Sequence, residues 1–182
     1  MRQLAIAVFL IVNAVAFGAL YEGAHFNFPS ALLLFFLSSF GATLIHELGH
    51  AWMAARLGAE VRYICVWIFS LRMRPRQLTI VAPRGGGDVA GYVVYEFAGH
   101  WGRQRFEAYI AAAGPAANFA VALVAGGVAT LLGMMGLHVA ELALAPLVLV
   151  SGGMAVANLL PFKGSDGSVI LRTIHASHRR RG

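Results

Sequence analysis

The stretch "ATLIHELGHAWMAARLG", residues 42–58, sets a glutamate and two histidines inside an apolar run. Upstream, residues Gly23 to Ile45 include no Asp, Glu, Lys or Arg. The run is therefore long enough for a helix that crosses a bilayer, which takes roughly 20 predominantly apolar residues. Ionisable groups at membrane depth are costly and face a partner or a cavity. His46, Glu47 and His50 stand in the spacing H-E-x-x-H, and that spacing suggests a metal. Residues four apart share a helix face, so both histidines reach one ion, while Glu47 is offset toward a water held there. Zinc acidifies such a water to a pKa of about 7, and the carboxylate accepts its proton. The competing reading, in which the three side chains satisfy one another or cap nearby backbone, is weaker in lipid, where each polar group needs a partner and a metal serves both histidines.

Composition extends the membrane reading to the whole chain. Of 182 residues, 59% are hydrophobic and 12% charged, far from the quarter-charged mix of soluble domains. Charge-free runs cover Gln3 to Tyr21, Gly23 to Ile45, Ala108 to Val139 and Leu142 to Phe162. The expected fold is an α-helical polytopic membrane protein of about four transmembrane helices, the second continuing to about Ala55 and the third in one or two pieces. Arg2, Lys163, the arginines from Arg56 to Arg105, and those from Arg172 on account for all 14 basic residues, and the connections Glu22–Phe28 and His138–Glu141 contain none. By the positive-inside rule, both termini and the long loop are cytosolic. The net charge of +6 is then a topology signal with some attraction to anionic lipid. No nucleic-acid partner is expected, because the arginines are not interleaved with aromatics on a polar module. Met1-Arg2-Gln3, the following apolar run and Ala14-Val15-Ala16 also fit a secretory signal peptide. The run continues through Leu20, which favours a retained span. Cys65 is the only cysteine, excluding an internal disulfide or a cysteine-based zinc site.

The chain reads as a single domain, 1–182, with a β-rich loop at 61–97 and a short basic C-terminal helix and tail at 167–182. "VRYICVWIFSL", "QLTIVAP" and "YVVYEF" are rich in β-branched and aromatic residues, so a small hairpin or sheet is expected between the second and third spans. Trp67, Ile68, Phe69 and Leu71 are too apolar to sit bare in water, and the element is expected to lean on the membrane interface. "GSVILRTIHASHRRRG" is amphipathic with a basic end, as suits a helix anchored at headgroups.

A hydrolytic zinc site takes three protein ligands and leaves one position for water. His46 and His50 precede Arg56 by ten and six residues, so the site lies on the order of 10–15 Å below the cytosolic boundary. Glu22 and Glu141 fall on the far side. Asp166 follows the last span at its cytosolic end, where Pro161, Gly164 and Gly167 break regular helix and let the chain dip back. Asp166 is the best third ligand, and capping of the last helix is its alternative or concurrent role. "AAAGPAANFA" sets Gly114-Pro115 in an apolar helix, where a kink or water-lined gap can form, with Asn118 one turn on; Asn158 is a second amide near the end of the last span. Each alone is interhelical glue. Together they could hold a substrate carbonyl or the oxyanion of a tetrahedral intermediate.

The three segments "HELGH" (46–50), "GPAAN" (114–118) and "NLLPFKGSDG" (158–167) resemble the marks of the site-2 protease family of intramembrane zinc metalloproteases, in the same order on successive spans. The resemblance covers the chain from about residue 30. It implies one Zn2+ held by His46, His50 and Asp166, Glu47 as general base, and Asn118 and Asn158 lining the site. It implies, as partners, the lipid bilayer and a membrane-protein substrate with a transmembrane segment, presented to the edge of the β element by strand addition. No PDZ or CBS domain is recognisable, and the chain stops soon after the D-G motif, which leaves open whether a regulatory partner or a second copy closes the cavity. The reading is an intramembrane protease in a prokaryotic cytoplasmic membrane, since 13 arginines against one lysine fit a GC-rich genome. A membrane zinc transporter or a catalytically inert helix-binding relative is the alternative, although no repeated halves or full polar path are visible.

Overall fold

The computed structural model describes residues 11, 13–23, 26–80, 90–98 and 103–179. Among these, three helices are long and apolar enough to cross a membrane: Phe28–Arg56, Phe106–Met134 and His138–Leu159. Of the expected first span, residues 13–18 are helical and run into a π-helical turn, Ala19–Gly23; its beginning lies outside the described residues.

Helix α1 (Phe28–Arg56) starts where the Asn27 side chain accepts a hydrogen bond from the Ser30 amide and Pro29 occupies the first turn, a position where a missing N–H costs nothing. It ends at Leu57, followed by Gly58 at φ +83°, the left-handed residue that commonly closes a helix. Helix α2 (Arg103–Met134) runs through Gly114-Pro115 as one continuous helix. It stops at Gly136, φ +76°, where the Leu137 amide reaches back to the Leu132 carbonyl. Helix α3 (His138–Leu159) returns antiparallel against it, and α4 (Asp166–Arg179) packs mainly on α2. Ala16, Ala42, Val150 and Met154 form one buried cluster, with Phe35 and Leu149 at its margin.

Between α1 and α2 the chain makes a four-stranded antiparallel sheet: β1 (Glu60–Val66), β2 (Phe69–Met73), β3 (Arg76–Ile80) and β4 (Gly91–Glu96), in the order β3-β2-β1-β4. The run "VRYICVWIFSL" is not one strand. It reverses at Trp67-Ile68, so that Val66 faces Phe69. Trp67 adopts φ +52°, a conformation that costs a bulky residue about 1–3 kcal/mol. Its ring lies edge-on to Phe36 (6.0 Å) and Phe40 (5.5 Å) of α1, and Phe69 also meets Phe40 (5.8 Å), which offsets that cost. The hairpin turn is thereby held on α1 roughly two to three turns before His46. At the other end Ala54, Ala59 and Ile110 form a second buried cluster that Val61, Tyr95 and Phe97 cover. The sheet is clamped along α1, with β3 and β4 at its edges.

Candidate metal centre

His46 and His50, one turn apart on α1, point their Nε2 atoms at one spot, 3.1 Å from each other. Asp166, the first residue of α4, completes the group: its carboxylate oxygens lie 3.2 Å from His46 Nε2 and 3.5 Å from His50 Nε2. One ligand atom from each lies within 4.8 Å of the others. His46, Glu47 and His50 are all buried.

Asp166 is aimed by the turn before it. Ser165 is buried, and its hydroxyl accepts hydrogen bonds from the Phe162 and Ser168 amides while donating toward the Leu160 and Phe162 carbonyls. This winds Leu160–Ser165 around one oxygen and starts α4 with its acid facing the histidines. Burial alone would raise the Asp166 carboxyl, but the His46 and His50 rings outweigh it and hold the group below the usual carboxylate range. It is thus ionised, the form that ligates metal. Its buried Oδ2 faces His46 Nε2 at 3.2 Å but makes no hydrogen bond, a costly state for a carboxylate oxygen unless a cation completes it. Two convergent imidazole nitrogens and a carboxylate oxygen that no hydrogen bond satisfies suit a divalent ion.

The close approach of α2 depends on missing side chains. A Cβ on Gly49 would stand 2.6 Å from the Ala113 carbonyl oxygen, and one on Gly114 would stand 2.5 Å from His50 Cε1 and 2.9 Å from His46 Cε1. The glycines inside "HELGH" and "GPAAN" let the two helices touch where the rings of His46 and His50 sit. In return, α2 anchors one ring: His50 Nδ1 donates to the Ile110 carbonyl at 2.7 Å, leaving Nε2 as the lone-pair nitrogen. Sequence reasoning missed this contact, and a backbone carbonyl has no sequence signature by which to find it.

The fold brings His46, His50 and Asp166 together, with Glu47 buried next to His46 on the same helix. Asn118 is fully buried, with Nδ2 3.3 Å from His46 Nδ1. Asn158, partly exposed on α3, donates to the Met154 carbonyl one turn back at 3.0 Å. A residue without prior signal is Gly91. A Cβ there would lie 2.6 Å from Glu47 Oε1, 2.7 Å from Glu47 Cγ and 2.9 Å from the Cys65 carbonyl oxygen, so the first residue of β4 is seated directly on the glutamate.

An apolar bundle in which two buried histidines and an aspartate converge beside a glutamate is a membrane protein with a group able to hold a metal ion. The chain belongs to peptidase family M50, whose model matches residues 31–142, and membership implies metalloprotease activity. No curated protein and no solved structure matches it. Asp166 and Asn158 lie beyond the matched residues.

Gly91→Ala is therefore expected to lower proteolytic turnover about 10- to 100-fold by displacing the Glu47 carboxylate, since a shift of about 1 Å carries a cost of that order. Metal affinity should stay within a few-fold. Turnover and metal content measured on the same preparation check this. Unchanged turnover would mean that β4 moves off Glu47 in the working enzyme.

Proposed function

We propose that the protein is an intramembrane zinc metalloprotease of the site-2 protease type, cutting peptide bonds within or near transmembrane segments of other membrane proteins. The observation that carries this is the convergence of His46, His50 and Asp166 beside Glu47 among helices that are apolar enough to span a bilayer. The two Nε2 atoms are 3.1 Å apart, with one Asp166 oxygen 3.2 Å from the first and the other oxygen 3.5 Å from the second, separations near the roughly 3.3 Å between ligands of a tetrahedral ion bonded at about 2.0–2.1 Å, the geometry zinc prefers. Bound zinc would supply Lewis acidity to a water and to the scissile carbonyl. Glu47 receives the proton of the attacking water and passes it to the leaving amine. Asn158 is the amide offered to the substrate carbonyl, after release from its own helix. Strand β4 is an edge strand whose first residue abuts Glu47, so an unwound substrate laid along that edge would bring its backbone to the base. The basic residues favour cytosolic termini, a sheet-bearing loop that enters the membrane from the cytosolic side and cleavage toward that leaflet, in a prokaryotic cytoplasmic membrane.

The test is removal and return of metal. New peptide termini are mapped in membranes from expressing cells, after zinc chelation and again after zinc is restored. Termini inside apolar spans that disappear on chelation and return with zinc support the reading. If they persist without zinc, or if zinc flux into proteoliposomes occurs without cleavage, it is wrong and the transporter reading takes its place.

A further inference from the structure

Three positions on α2 stand four residues apart and address the two histidines in turn. The Ile110 carbonyl takes His50 Nδ1. Gly114 leaves room for both rings. Asn118 meets His46 Nδ1. Positions i, i+4 and i+8 share one helix face, so this stripe of α2 lies along the helix that bears the two histidines.

The Asn118 contact is mispaired as it stands. Its amide nitrogen, a donor, faces His46 Nδ1 at 3.3 Å, and its buried Oδ1 has no partner. A neutral imidazole that ligates through Nε2 carries its one proton on Nδ1. Donor would then oppose donor, with a carbonyl oxygen left bare beside it. A half-turn about the Cβ–Cγ bond exchanges the two ends of the amide, and the exchange satisfies both groups at once. Ile110 already serves His50 in this way with a carbonyl.

We infer that Asn118 is a positioning residue whose side-chain carbonyl accepts a hydrogen bond from His46 Nδ1–H and so fixes Nε2 as the nitrogen that holds the metal. This rests on the metal centre proposed above, and differs from an amide aimed at substrate. With no exposed surface, Asn118 reaches the chemistry only through His46. The inference also accounts for the spacing within "GPAAN": glycine where the rings pass, and an acceptor one turn later where the first ring ends.

The test is zinc affinity, measured on the full chain in detergent micelles by competition with a chromogenic chelator. Asn118→Leu keeps the volume and removes the acceptor; it should bind zinc about 10- to 100-fold more weakly. Asn118→Asp keeps an acceptor and should stay within about threefold of the wild type, with an unchanged visible spectrum for the cobalt-substituted protein. If the leucine variant fails to fold, the aspartate variant still decides, since loss of zinc affinity there contradicts the inference. A leucine variant with wild-type affinity and no cleavage overturns it and hands the amide to the substrate. A wild-type protein that binds no zinc removes the proposed function itself.

Discussion

Glu47→Gln is expected to lower peptide hydrolysis by about 10²- to 10⁴-fold, the usual contribution of a general base, while leaving zinc affinity within a few-fold. The amide has the volume of the carboxyl and fits the same space against Gly91, where little tolerance exists. It touches none of the contacts that aim His46, His50 and Asp166. What it lacks is the ability to take a proton. Because Glu47 is buried, replacing a charge with a neutral group should leave thermal stability equal or higher, the common pattern when a functional ionisable residue is neutralised. New termini mapped in membranes holding the two proteins at matched levels give the comparison. Termini found only with the wild type identify substrates together with the base. Equal cleavage by a zinc-loaded Glu47→Gln protein would place the base elsewhere.

The helices and the histidine pair were legible because each follows from periodicity and cost. The apolar runs set α1, α2 and α3, and His46 with His50, four residues apart, come within reach of one ion on a helix but not on a strand. Asp166 followed from topology, since the chain breakers around Pro161 and Gly164 were the means of bringing an acid back to the membrane. A hairpin or sheet was legible, but the reversal inside "VRYICVWIFSL" and its seat on α1 were not. Nothing in Trp67-Ile68 carries turn chemistry; the reversal is imposed by the tertiary fit of Trp67 between Phe36 and Phe40. Gly114 was read for the kink beside Pro115, whereas α2 passes through the proline unbroken and the glycine serves the rings of His46 and His50. Gly91 and the Ile110 carbonyl were illegible for one shared reason: each acts through backbone placed by long-range packing.

Asp166→Ala is expected to weaken zinc binding at least 100-fold and to abolish cleavage. Two histidines alone fall short of the three protein ligands of a hydrolytic site, and a direct ligand should matter more than the 10- to 100-fold typical of the groups behind it. The prediction is sharp because Asp166 stands outside the residues matched to family M50 and depends entirely on how Ser165 winds the turn into α4. Loss of an acid at a helix start costs about 0.3–1 kcal/mol on its own, so a modest fall in the melting temperature would accompany the variant without explaining lost metal. Asp166→His separates the two effects. It restores a ligand at the same place, with a different reach and no negative charge, and should recover part of the zinc affinity without full cleavage. Zinc content by elemental analysis and affinity by chelator competition decide the matter. An alanine variant that still holds one zinc per chain at wild-type affinity would break the assignment, and the third ligand would then have to be sought among residues that the substrate or a second copy supplies.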